Sequence, residues 1–177
     1  MEIQTEYQTA IKFAAGKHAD INQLIPGSNL PYVVHLSNVA MEIIIAGLAT
    51  PGFNLAFAVQ VALLHDVLED TDTSFEEIET TFGLNVAQAV QALTKNDTLE
   101  KGEKMMDSLT RIKALSNEVW SVKLADRITN LQKPPAHWSS SKIQEYKKEA
   151  AVILERLSGG NTYLENRLKA KIELYNL

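Results

Sequence analysis

The sequence predicts an all-α fold, and three observations point to it. Nearly every segment of the 177-residue chain repeats its apolar residues at helical spacing. No segment alternates apolar and polar residues convincingly enough to be a strand. The breaks between segments are Pro, Gly, Asn and Ser clusters, such as "INQLIPGSNLP" and "SGGN". A chain of 177 residues is a normal length for one domain with a full core. The expectation is a single bundle of about eight to ten helices.

Taken in order, residues 5–19 carry Tyr7, Ile11 and the pair Ala14/Ala15 at helical spacing, giving a first amphipathic helix. A Pro/Gly/Asn loop follows. Residues 32–47 form a second helix, stopped by Gly47 and Thr50-Pro51-Gly52. Residues 54–69 are apolar almost all round, as a buried central helix is. Thr73 with Glu76 reads as a capping box that opens a short helix, which Gly83 ends. Further helices are predicted over about 84–93, 102–115, 117–132, 140–158 and 161–174, with "SGGN" parting the last two.

Composition excludes several function classes. The net charge of −5 argues against a general grip on nucleic acid, which needs a clustered basic surface. The chain has no cysteine, so disulfides, thiolate metal sites and cysteine nucleophiles are excluded. The start, MEIQTEYQTA, has neither the basic opening nor the apolar run of a secretion signal. The longest apolar stretches, "VAMEIIIAGLA" and "LAFAVQVALL", are too short to span a bilayer. The expected location is the cytoplasm, with no membrane or nucleic-acid polymer as partner.

The chemistry gathers at helix faces. The central apolar helix ends in His65-Asp66 and then Glu69-Asp70, and such a cluster at a core edge costs desolvation energy unless something pairs with it. "PYVVHLSNVA" puts His35 in the first turn of the second helix. "VKLADRITNLQ" puts Asp126 inside an otherwise apolar helix, with Asn130 one turn on. A polar group on the apolar face of each of three helices is the pattern of a site built in a bundle core. Two imidazoles and two carboxylates suit Mn²⁺, Fe²⁺, Co²⁺ or Zn²⁺ and leave positions open for water and a substrate oxygen. Such an ion lowers the pKa of its water and offsets phosphate charge. Glu69 and Asp70 are then within reach to move a proton. Singly, each residue has an ordinary explanation: His35 as a hydrogen-bonded core histidine, Asp126 as a partner of Lys123 or Arg127. Jointly they are much harder to explain by chance.

His35, then His65-Asp66, then Asp126 resembles the H…HD…D signature of the HD phosphohydrolase superfamily. "ALLHDVLEDTDTSFEEIETTFG" resembles, more particularly, the hydrolase domain of RelA/SpoT-type alarmone enzymes, and above all the small alarmone hydrolases typified by the metazoan SpoT homologue. "FAAGKHAD", "PYVVHLSNVA", "ALTKNDTL", "SVKLADRITNL" and "IQEYKKEAA" fit that family in the same order, over about residues 10–175. The resemblance implies an HD-domain helical bundle over 1–177 with no synthetase or regulatory domain attached. It implies one Mn²⁺ held by His35, His65, Asp66 and Asp126. It implies Glu69 and Asp70 as the catalytic pair that positions and activates water, and Tyr32, Asn130 and Tyr146 as substrate-binding positions. The reaction implied is removal of the 3′-pyrophosphate from the purine nucleotide (p)ppGpp, giving GDP or GTP and pyrophosphate.

Lys101 and Lys104, in "TLEKGEK", are expected to meet a polyanionic substrate, with a solvated charged face as the equal alternative. One segment departs from the family. Its members carry a basic run before "PY", whose arginine packs on the guanine base, whereas here no Arg or Lys stands between His18 and Tyr32. Lys17, just upstream, is the nearest cation that could replace it. The adenine analogue (p)ppApp therefore joins (p)ppGpp as an expected substrate. Two other readings stay open: another HD phosphohydrolase, such as a nucleoside 5′-monophosphatase or an NADPH 2′-phosphatase, and a non-catalytic helical module that binds a nucleotide or a protein.

Overall fold

The computed structural model describes residues 2–175. Among these the chain forms ten helices: α1 (Ile3–Asp20), α2 (Val33–Leu48), α3 (Leu55–Leu64), α4 (Val67–Asp70), α5 (Phe75–Phe82), α6 (Leu84–Leu93), α7 (Lys104–Lys113), α8 (Asn117–Asn130), α9 (Ser140–Arg156) and α10 (Thr162–Leu174). The described residues contain no strand; Leu24 and Pro31 form an isolated antiparallel bridge across the α1–α2 loop. No helix among them is long and apolar enough to cross a membrane.

The helix α3 sits at the centre because LAFAVQVALL offers apolar residues on nearly every side. Ala58, Val59, Val61, Ala62, Leu63 and Leu64 are all fully buried. It packs against α1, α2, α6 and α8. α1 lies close to it through Ala10, Ala14 and His18, spaced four apart, where two small side chains let the backbones approach. Each fully buried leucine of α3 contributes about 1.5–3 kcal/mol over leaving it exposed. α8 brings Val122, Leu124, Ala125 and Ile128 into the same core, and buries Asp126, Arg127 and Thr129 with them.

The elements differ from the sequence expectation in four places. The helix expected over 54–69 breaks at His65-Asp66. There Asp66 takes φ −103°, ψ −4°, and α4 restarts from its carbonyl, which accepts the N–H groups of Glu69 and Asp70. Gly47 does not end the second helix, which runs on to Leu48. A Cβ at Gly47 would lie 2.7 Å from Leu55 Cδ1, so the glycine serves the close approach of α3. In place of a capping box at Thr73 and Glu76, a single N-cap bond sits one residue later: Ser74 Oγ accepts the N–H of Glu77 at 3.2 Å, while the Glu77 carboxylate pairs with Lys17 and Thr73 turns inward to Thr71 Oγ1 at 2.7 Å. The helices expected over 102–115, 117–132 and 140–158 are each shorter by two or more residues, ending at Lys113, Asn130 and Arg156.

Gly83 and "SGGN" act as expected. Gly83, at φ 88°, separates α5 from α6. Asn161 of "SGGN" caps α10 by accepting from Leu164 N at 3.1 Å.

Candidate active site

Three helices bring their polar residues to one point. His35 comes from the first turn of α2, His65-Asp66 from the break after α3, and Asp126 from the last turn of α8. His35, His65 and Asp126 each offer one ligand atom, and those atoms lie within 4.8 Å of one another. The two Nε2 atoms are 3.4 Å apart. Asp126 Oδ1 is 3.6 Å from one and 3.7 Å from the other. Asp66 Oδ2 joins them, 2.9 Å from His65 Nε2 and 3.7 Å from His35 Nε2. The helix break is what makes this possible, because it turns two consecutive residues, His65 and Asp66, toward the same centre.

This donor set fits a divalent ion. His65 Nδ1 donates to the Ala62 carbonyl at 2.8 Å, which orients the ring and leaves Nε2 as the ligating atom when the imidazole is neutral. Thr129 Oγ1 lies 3.5 Å from His35 Nδ1 and offers a weaker version of the same hold. Two nitrogens and two carboxylate oxygens form a borderline-to-hard shell. The electrostatics also ask for positive charge. Burial opposes ionisation of Asp126, yet Lys123 and the two imidazoles outweigh it and hold the carboxyl well below the usual range. Burial likewise opposes ionisation of Asp66, but the charge and hydrogen bond of His65 bring it down to about 2. Burial disfavours charge on His65, and the two carboxylates reverse this and push its pKa well above the ordinary value. His35 is pushed down, by burial first and then by its neighbour His65.

A second ring of groups orients the first. Tyr32 donates its hydroxyl to Asp66 Oδ2 at 2.5 Å; burial and then the charge of Asp66 push its pKa up, so it stays a donor. Asn130 Nδ2 donates to Asp126 Oδ1 at 2.5 Å, and Lys123 Nζ to Asp126 Oδ2 at 3.1 Å. Of the ordinary partners considered for Asp126, Lys123 pairs with it and Arg127 does not. Arg127 instead reaches Glu149 at 3.5 Å and lies 4.2 Å over the ring of Tyr146. Tyr146 also meets Trp138 edge-on at 5.2 Å.

Glu69 and Asp70 are held by different neighbours. Lys95, just beyond α6, grips Glu69 twice, with its backbone N–H on Oε2 at 3.0 Å and its ammonium on Oε1 at 2.5 Å. Gln23, in the α1–α2 loop, donates to Asp70 Oδ2 at 2.7 Å. Burial raises the pKa of Asp70; the Gln23 hydrogen bond opposes this, and the charges of Asp66 and Glu69 add to it. Among the described residues, Lys101 and Lys104 form no ion pair with this cluster. Lys101 is exposed on the turn before α7, and Lys104 pairs with Asp97 at 2.7 Å. Lys17 turns away to Glu77 of α5 at 2.9 Å.

Lys95, Gln23, His18 and Thr129 escape the sequence reading. Thr129 lies three residues after Asp126, so helical spacing could have found it. Lys95 and Gln23 reach the acids across 26 and 47 residues from irregular segments, where periodicity carries no signal.

The HD domain family model matches residues 10–160. The chain is 36% identical over 163 residues to the Danio rerio guanosine-3′,5′-bis(diphosphate) 3′-pyrophosphohydrolase MESH1, covering 90% of this chain and 88% of the relative. The Homo sapiens MESH1 is 37% identical over 164 residues, covering 90% and 89%. A solved structure of a metazoan ortholog of SpoT that hydrolyses ppGpp superposes with a TM-score of 0.81 at 30% identity, covering 95% of this chain and 94% of that one.

Proposed function

Since this chain belongs to the HD domain family and, within it, to the small alarmone hydrolases typified by the metazoan SpoT homologue, we propose that it is a metal-dependent hydrolase that removes the 3′-pyrophosphate from (p)ppGpp-type purine nucleotides. The observation that carries this reading is the convergence of His35, His65, Asp66 and Asp126 beside two carboxylates, Glu69 and Asp70, that are held by other residues.

His35, His65, Asp66 and Asp126 would hold one divalent ion, with Mn²⁺ the proposed occupant. When bound, such an ion supplies Lewis acidity and makes water a nucleophile at neutral pH. The protein's own groups do the rest. In the reaction a water oxygen adds to the phosphorus attached to O3′, the O3′–P bond breaks, and O3′ leaves with a proton. Asp70, with its raised pKa, suits the taking and giving of that proton. Glu69, fixed by Lys95, orients the water, and the ammonium of Lys95 faces the phosphate charge. Tyr32 and Asn130 keep the Asp66 and Asp126 carboxylates aimed as ligands. Tyr146, stacked under Arg127, is a proposed wall for the nucleotide, and Lys101 and Lys104 are proposed to meet its phosphates.

The base reading follows from the α1–α2 loop. Lys17 is engaged with Glu77 and the loop adds no other cation, so the purine meets neutral groups there. Guanine presents O6 and N7 acceptors that gain from an added cationic donor, while adenine presents an N6 donor. The adenine analogue (p)ppApp is therefore proposed as a substrate beside (p)ppGpp, with the balance shifted toward adenine relative to relatives that carry the basic run. A cytoplasmic site of action is proposed on the substrate class.

The test is product analysis with ppGpp, pppGpp, ppApp and pppApp, with and without Mn²⁺. Pyrophosphate release that needs the metal is expected, with a higher adenine-to-guanine ratio than in relatives that carry the basic run. Release of inorganic phosphate instead would assign the chain to a nucleotide phosphatase.

A further inference from the structure

The hydrogen bond to Asp70 is one end of a chain of contacts that uses an unusual turn. Gln23 Nε2 donates to Asp70 Oδ2 at 2.7 Å, and Oε1 of the same amide lies 2.5 Å from His18 Nδ1. A carboxylate only accepts, so the amide nitrogen faces Asp70 and the amide oxygen faces His18. The imidazole proton must then sit on Nδ1. His18 is 1% exposed, its ring centroid is 4.7 Å from that of Tyr32, and its Nε2 has no partner. A buried imidazole thus spends its one good hydrogen bond on turning a glutamine.

The backbone serves the same end. Gln23 N–H donates to the His18 carbonyl at 3.0 Å, and the Gln23 carbonyl accepts from Tyr32 N–H at 3.1 Å. The turn into it passes through Asn22 at φ 53°, the one non-glycine residue in the left-handed region among those described. Asparagine tolerates that region better than most residues, at a cost that surrounding contacts must offset.

We propose that Gln23, aligned by His18, is a positioning residue for Asp70: it fixes the direction of the carboxyl group from outside the helix that carries it. The proposal rests on the reading of Asp70 as a catalytic acid in pyrophosphate release. Without the amide, Asp70 keeps its place in the chain but loses its aim, and the cost falls on turnover rather than on substrate binding.

The test combines kinetics with a measurement that needs no substrate. Gln23→Leu removes the amide from a partly exposed position, and His18→Phe keeps a ring against Tyr32 while removing the Nδ1 donor. Each is expected to lower kcat about 10- to 100-fold with KM and bound metal unchanged. In an Asp70→Asn background, Gln23→Leu should add less than about 2-fold, because its effect runs through Asp70. An undiminished loss in that background, or a loss seen only in KM, overturns the proposal. In metal-free protein without nucleotide, the Gln23 side-chain amide should give a shifted, slowly exchanging pair of NMR signals that collapses to free-amide positions in His18→Phe and in Asp70→Ala. Free-amide positions already in the wild type overturn it too. A shifted amide in a wild-type protein that releases pyrophosphate from none of the four nucleotides would leave the positioning intact and refute the functional reading instead.

Discussion

Asp126 is the carboxylate with the most claims on it: two imidazoles, Lys123 and Asn130 all reach it. That crowding separates what ligand and acid substitutions should do. Asp66→Ala or His65→Ala leaves three donors around any ion, so metal content and activity should fall together, as metal analysis and turnover will show. Glu69→Gln and Asp70→Asn sit outside the donor set. They should keep the metal and lower kcat by roughly 10²–10⁴-fold, the usual worth of a positioned acid–base group. Tyr146 supplies a test of pH. Burial pushes its hydroxyl from the ordinary 10.0 up to about 12. Between pH 10 and 12 the unfolded chain has lost that proton while the folded chain still holds it. Folded stability is then complete below pH 10 and declines as pH rises toward 12. Denaturant titrations across that window should fall less steeply in Tyr146→Phe, by on the order of 1–2 kcal/mol.

At the scale of elements, local signals were legible and their exact registers were not. A capping serine can be told from its neighbour only by the hydrogen bond it makes. Ser74→Ala should cost about 1 kcal/mol through the lost bond to Glu77 N, measurable by urea unfolding. Thr73→Ala acts by a different route, through the buried contact with Thr71. The apolar character of α3 and the ends at Gly83 and Asn161 could be read because composition and turn chemistry fix them locally. The break at His65-Asp66 could not. It combines a local contact, the His65 ring taking the Ala62 carbonyl, with a tertiary one, Asp66 held by Tyr32 and near His35 at the start of α2. The same distinction runs through the site. His35, His65, Asp66 and Asp126 stood out because polar groups on apolar faces are conspicuous in sequence. Gln23 and Lys95 did not, since their partners are set by how loops lie on the folded bundle.

At the scale of the whole molecule, the cluster ties α2, α3 and α8 together at one end of the core. An ion bound only by the folded state adds RT ln(1 + [L]/Kd), about 2.7 kcal/mol at a hundredfold excess over Kd. For a chain of this size that raises Tm by roughly 5–10 °C, and chelation should reverse it in a thermal scan. The donors come from positions 35, 65, 66 and 126, so about half of the chain's length lies between the first and the last. A growing polypeptide that has emerged only as far as α7 carries three of the four and cannot complete the set. Complete ligation of an ion by all four donors therefore requires α8 to have docked. The rate at which added Mn²⁺ is taken up during refolding is then expected to report that docking, and a variant that slows α8 should show late uptake with its final stability unchanged.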